Sequence, residues 1–157
     1  MFLLTIQPPV NLADAIADTP APTTDDQPPS PSAVIGFYGI AIGFNLCLGL
    51  QLLTVGLAYF YNPSWWQIHV LLVRGYGCLA LILVVWAYLV RLPKRLQLLS
   101  LSLPILLGLQ FLTIHLQTPL PVPLAILHPL LGFTLFFCSA TLVHRTAQYR
   151  KHTLSLS

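Results

Sequence analysis

From residue 33 onward the chain alternates long apolar stretches with short polar punctuation. Residues 33–59 carry no charge, 67–90 are interrupted only by Arg74, and 96–117 and 124–143 hold no Lys, Arg, Asp or Glu. A bilayer core is crossed by about 20 helical residues, and backbone groups in lipid must satisfy one another. Each stretch therefore predicts a spanning helix, at about 33–59, 67–90, 96–117 and 124–144. Asn62-Pro63, Leu92-Pro93 and Thr118-Pro119 supply the turns between them. The fold expected is an all-α integral membrane protein, a four-transmembrane-helix bundle over residues 33–146. A tail of residues 1–32 precedes it and a basic tail of 147–157 follows. Residues 1–32 hold seven of the 14 prolines and all four aspartates, and they read as a solvated, disordered segment. The opening MFLLTI is short for a signal-peptide apolar region and lacks its positive start.

Composition agrees with this pattern: 56% of residues are hydrophobic and 7% charged, with a mean hydropathy of +0.79. Soluble domains carry about 25% charged residues. The acids are Asp14, Asp18, Asp25 and Asp26, so no carboxylate side chain occurs from Gln27 to Ser157. That excludes paired-carboxylate catalysis, Ser-His-Asp triads and carboxylate metal cages from the body of the chain, and argues against an enzyme. All seven Lys and Arg lie beyond residue 73. Arg91, Lys94, Arg95, Arg145, Arg150 and Lys151 cluster at one end of the expected bundle. By the positive-inside rule both termini then face the cytoplasm, or the stroma if the membrane is a thylakoid rather than a bacterial plasma membrane. The pI near 8.9 reflects that topology, not nucleic-acid binding. Tyr59, Tyr61, Trp65 and Trp66 make an aromatic belt at the opposite end. Cys47, Cys78 and Cys138 sit in apolar runs without C-x-x-C spacing and read as small core residues.

The chain also carries an internal echo. Leu48-Gly49-Leu50-Gln51-Leu52-Leu53-Thr54 and Leu107-Gly108-Leu109-Gln110-Phe111-Leu112-Thr113 agree at six of seven positions, 59 residues apart, and His69 aligns with His128 at the same offset. The bundle is therefore expected to consist of two tandem helix-hairpin repeats. Each repeat has a Gln and a Thr on its first helix and a His 18 residues after the Gln, at the start of its second. Two such hairpins are related by an axis along the membrane normal. The two His-bearing helices are then parallel and diagonal, roughly 11–14 Å apart. Facing imidazoles across such a gap leave room for a haem with two axial histidines.

WWQIHVLLVRGYG and LAILHPLLGFTLF resemble the starts of the second and fourth helices in one four-helix half of the haem A synthase family, over about residues 40–144. Small uncharacterised four-helix haem-type bacterial membrane proteins share the pattern. The resemblance implies that His69 and His128 are axial ligands of one haem b. The departures are that Val70 and Pro129 follow the histidines where that family commonly has Arg, that its glutamate has no counterpart, and that a full synthase has eight helices. The resemblance thus favours holding haem over modifying it.

Gln51 and Gln110, with Thr54 and Thr113, are candidate hydrogen-bond donors around the site. Arg74 lies about 7 Å along the helix from His69 and has no carboxylate to pair with; a haem propionate or a lipid phosphate would suit it. Gly132, on the face of His128, leaves space for a ring. Gly36, Gly39 and Gly43 give the first helix a close-packing face. His115, at the depth of His69 and His128, opens the alternative of a three-histidine zinc site. His144, about 160° around the helix from His128, points away from it. Two functions follow: a b-type haem protein for electron transfer or as a haem-carrying accessory subunit, with a redox partner, or a cofactor-free structural or assembly subunit of a larger, possibly photosynthetic, membrane complex.

Overall fold

The computed structural model describes residues 29–115 and 124–155. Among these there is no strand. The helices are α1 (Pro31–Phe60), α2 (Trp65–Leu89), α3 (Lys94–His115) and α4 (Leu127–Leu154), the last preceded by a 3-10 turn at Leu124–Ile126. Four helices are long and apolar enough to cross a membrane. The acidic tail, up to residue 28, and the third loop at 116–123 lie outside the described residues.

The helix ends follow from local sequence. Ser30 caps α1 by accepting the Ala33 N–H at 3.4 Å, and Pro31 takes the first turn, where its missing N–H costs nothing. Between α1 and α2, the Asn62 side chain accepts the Ser64 N–H at 2.9 Å, forming an Asx turn around Pro63. α2 closes in a Schellman arrangement: Leu92 N–H donates to the Ala87 carbonyl and Arg91 N–H to that of Tyr88. Arg91 takes the left-handed conformation (φ 53°), and the buried Leu92 supplies the accompanying apolar contact.

α4 continues ten residues past its expected end at 144. The segment after His144 is too polar to read as a membrane span, yet it packs as helix. Thr146 is fully buried, and Arg150 lies over the Tyr38 ring of α1 at 4.5 Å. Most of the expected C-terminal tail, including His152, is therefore helical.

The helices form a ring in which α1 packs on α2 and α4, and α3 packs on α2 and α4. The diagonal pairs α1/α3 and α2/α4 make no contact among the described residues. Buried positions on α1 are Val34, Phe37, Ala41, Phe44, Leu48, Gln51, Thr54 and Ala58. Their spacing of mostly three and four residues is that of a helix seam in a bundle. On α3 the buried positions are Leu96, Ser100, Leu103, Leu107 and Thr113, each 59 residues after a buried position of α1. On α4 they are Leu135, Ser139, Leu142 and Thr146, each 59 after Tyr76, Ala80, Leu83 and Ala87 of α2.

The interior combines large apolar side chains (Phe37, Phe44, Leu83, Leu103, Leu135 and Leu142) with small and hydroxyl ones (Ala41, Ala80, Ser100, Ser139 and Thr146), and large apolar residues also point outward: Leu71 is 70% and Phe137 72% exposed. Small residues at the seam together with an apolar exterior suit helices associating in lipid, where close packing rather than water exclusion drives assembly. Asn45 donates to Ser139 Oγ at 3.2 Å across α1 and α4, and Phe44 meets Tyr76 edge-on at 5.6 Å across α1 and α2.

Two expectations about small residues are corrected. Of the three glycines expected to form a close-packing face on α1, only Gly36 is in close packing, under the Trp86 ring; a Cβ at Gly39 or Gly43 would meet nothing within 4 Å. Cys78 is exposed rather than in the core, its thiol turned back to the Gly75 carbonyl at 3.3 Å, while Cys47 and Cys138 are half-buried at the core margin.

Candidate functional site

Each hairpin contains the same polar contact. In the first, Gln51 Nε2 donates to the His69 carbonyl at 3.0 Å, and His69 Nδ1 meets the Gln51 carbonyl at 3.3 Å. In the second, Gln110 Nε2 donates to the His128 carbonyl at 3.2 Å, and His128 Nδ1 meets the Gln110 carbonyl at 3.3 Å. The threonine three residues after each Gln adds a bond to the same carbonyl, at 2.7 Å from Thr54 and 2.9 Å from Thr113. In each hairpin the two helices are therefore pinned by one reciprocal pair of side-chain-to-backbone bonds.

The helices dictate this pairing. Gln51 and Thr54 lie on the buried seam of α1 near its aromatic end; on α3 Thr113 is buried and Gln110 half-buried beside it. His69 and His128 come within the first turn or so of the returning helices, once the loops have reversed the chain. Both histidines are half-buried, and His69 also packs edge-on against Trp66 at 5.4 Å.

The contact fixes the tautomer. A carbonyl oxygen can only accept, so Nδ1 of each histidine carries the hydrogen and Nε2 keeps its lone pair. Thr54 Oγ1, 3.1 Å from His69 Nδ1, gives its own hydrogen to the Gln51 carbonyl and can share that of Nδ1. A neutral imidazole with Nδ1–H held by a backbone carbonyl is the form in which histidine binds a metal through Nε2.

The remaining predicted residues are placed as follows. Gln51 is buried, and its Oε1 has no hydrogen-bond partner. Arg74 is exposed on α2, where it lines a surface groove with Trp66, Gln67, Val70 and Leu71, apart from the Gln–His contacts. His115 is exposed and, among the described residues, its ring meets the Phe111 carbonyl at 2.8 Å. No group of three or more His, Cys, Asp or Glu side chains comes together among the described residues, so His115 does not join His69 and His128 in one cluster. His144 is exposed and pairs with Gln148 at 3.0 Å.

Gly132 has a different role from the one expected. A Cβ there would lie 2.8 Å from Gln110 Nε2, so the glycine makes room for the Gln110 amide rather than for a ring. Sequence spacing gave no signal for this, because the position of Gly132 in the first hairpin is occupied by Val73.

Fold and site together define an all-helical bundle of four potential membrane spans with one Gln–His contact in each hairpin. Residues 51–117 match a family of unknown function (DUF6220), a segment that includes Gln51, His69, Arg74 and Gln110 but ends before His128. No curated protein and no solved structure matches the chain.

Proposed function

We propose that the chain is an integral membrane protein of two tandem hairpin repeats that holds one b-type haem between His69 and His128, for electron transfer or as a haem-carrying accessory subunit. Its termini lie on the cytoplasmic or stromal side, and the histidines lie towards the opposite face. The observation that carries this reading is the paired contact: in both hairpins His Nδ1 lies 3.3 Å from a glutamine backbone carbonyl, an arrangement that calls for hydrogen on Nδ1 and leaves the Nε2 lone pair free for a metal. Two neutral imidazoles on diagonal helices are the donor set of a bis-histidine haem.

The 59-residue offset shared by the buried positions and by the Gln–His contacts supports a duplicated hairpin. Bound iron would supply one-electron chemistry. The protein's part is to hold both rings in one tautomer, orient them through Gln51 and Gln110, and keep water out with the apolar seam. No carboxylate is available in the body to move protons, which agrees with electron carriage rather than haem modification.

The test is a dithionite-reduced minus oxidised absorption spectrum of the detergent-purified full chain expressed with haem supplementation. A sharp α band and shifted Soret peak at one haem per chain is the expected result; a flat spectrum would overturn the reading. One observation favours a cofactor-free structural or assembly subunit as the second reading: each Gln–His contact closes within its own hairpin and needs nothing between the histidines. That reading expects the flat spectrum, with a loss of thermal stability in His69→Ala and His128→Ala.

A further inference from the structure

The groove on the outer side of α2 is a separate feature. Gln67, Val70, Leu71 and Arg74 recur at three- and four-residue spacing on one helix face, and Trp66 borders them. Arg74 lies five residues from His69, about 140° around the helix, so it faces away from the histidine side. It is exposed, and it makes no hydrogen bond or ion pair with any described residue. Its Cα is about 13 Å along the helix from Trp65, well inside the apolar span. An arginine at that depth is costly unless something neutralises it. The body of the chain cannot do so, because no carboxylate side chain occurs from Gln27 to Ser157.

We propose that Arg74 and this groove bind the phosphate head group of an anionic phospholipid in the leaflet at the aromatic end of the bundle. Helical side chains lean towards the N-terminus of their helix. α2 begins at the aromatic end, so that lean carries the guanidinium up towards Trp66 and Gln67 and the head-group level. The five N–H donors of arginine form a fork that matches phosphate oxygens. Trp66 and Gln67, which both carry N–H donors, line the same groove, and Val70 and Leu71 offer an apolar wall for an acyl chain. Arg74 therefore serves lipid rather than a haem propionate, and the inference stands whether or not haem is bound.

Native mass spectrometry of the full chain, delipidated in mild detergent and titrated with phosphatidylglycerol, tests this. Diacylglycerol with the same acyl chains is the phosphate-free control. The wild type is expected to retain one phosphatidylglycerol. Arg74→Gln should weaken retention at least fivefold and Arg74→Lys, which keeps charge but not the fork, by less; His144→Ala, at an exposed position on α4 away from the groove, should leave it unchanged. Equal retention by Arg74→Gln, equal binding of diacylglycerol, or intact lipid binding with loss of a co-purifying acidic membrane protein would each overturn the proposal. If Arg74→Gln does not fold, Gln67→Leu and Trp66→Leu carry the same comparison.

Discussion

The Gln110 amide reaches the His128 carbonyl only because residue 132 has no side chain. Gly132→Ala puts a Cβ 2.8 Å from Gln110 Nε2, so the amide must move and its 3.2 Å bond is lost. One hydrogen bond contributes about 0.5–1.5 kcal/mol, against up to about 1 kcal/mol regained from helix propensity. Gly108→Ala meets nothing within 4 Å and keeps the propensity gain alone. The propensity gain is common to both variants, so they should differ in stability by the hydrogen bond alone, about 0.5–1.5 kcal/mol, Gly132→Ala the weaker, in thermal melts followed by circular dichroism; identical melts would remove the contact from the account of the fold. The histidines make the functional counterpart. His69→Ala and His128→Ala should each abolish the low-spin haem spectrum while His144→Ala, whose ring is exposed and bonded to Gln148, leaves it intact. Retained haem in both helix-start variants, or loss in His144→Ala, would sink the ligand assignment.

At the level of helices, small residues decide which pairs approach closely. A Cβ on Gly36 falls 2.9 Å from Trp86 Cζ2, and the half-buried indole is too rigid to give way without α1 moving from α2. Gly36→Ala should cost about 1–3 kcal/mol, as overpacking does, and Gly39→Ala, in open space, should be neutral or stabilising by up to about 1 kcal/mol; side-by-side melts in detergent check the pair. This contrast also shows what the sequence could and could not reveal. Four long apolar helices, the first two turns between them and the matching Gln–His contacts of Gln51 and Gln110 were legible, because hydropathy and the 59-residue echo are written in residue types. Which of three evenly suited glycines meets an indole was not, since that depends on the rotation of α1 against α2. Nor was the end of α4. Hydropathy falls after His144, but the helix is held onward by a buried threonine and by Arg150 stacked on Tyr38, contacts between residues more than a hundred positions apart. Gln110 filling the space beside Gly132 belongs to the same class, because the first hairpin has a valine there and copies no such cue.

For the molecule as a whole, the offset of 59 has a consequence for orientation. Hairpins of the same direction place both loops of the aromatic end together and collect Arg91, Lys94, Arg95, Arg145, Arg150 and Lys151 at the other. Basic ends are retained on the cytoplasmic side, so Asn62 and Ser155 should lie on opposite sides of the membrane. In a background with Cys47, Cys78 and Cys138 replaced by alanine, Asn62→Cys should react with an impermeant maleimide on intact spheroplasts, and Ser155→Cys only after permeabilisation. The reverse pattern would invert the molecule and move the histidine level to the cytoplasmic face, and with it the compartment of any redox partner. Labelling of both from one side would break the four-span topology itself, and the diagonal placement of His69 and His128 would no longer follow.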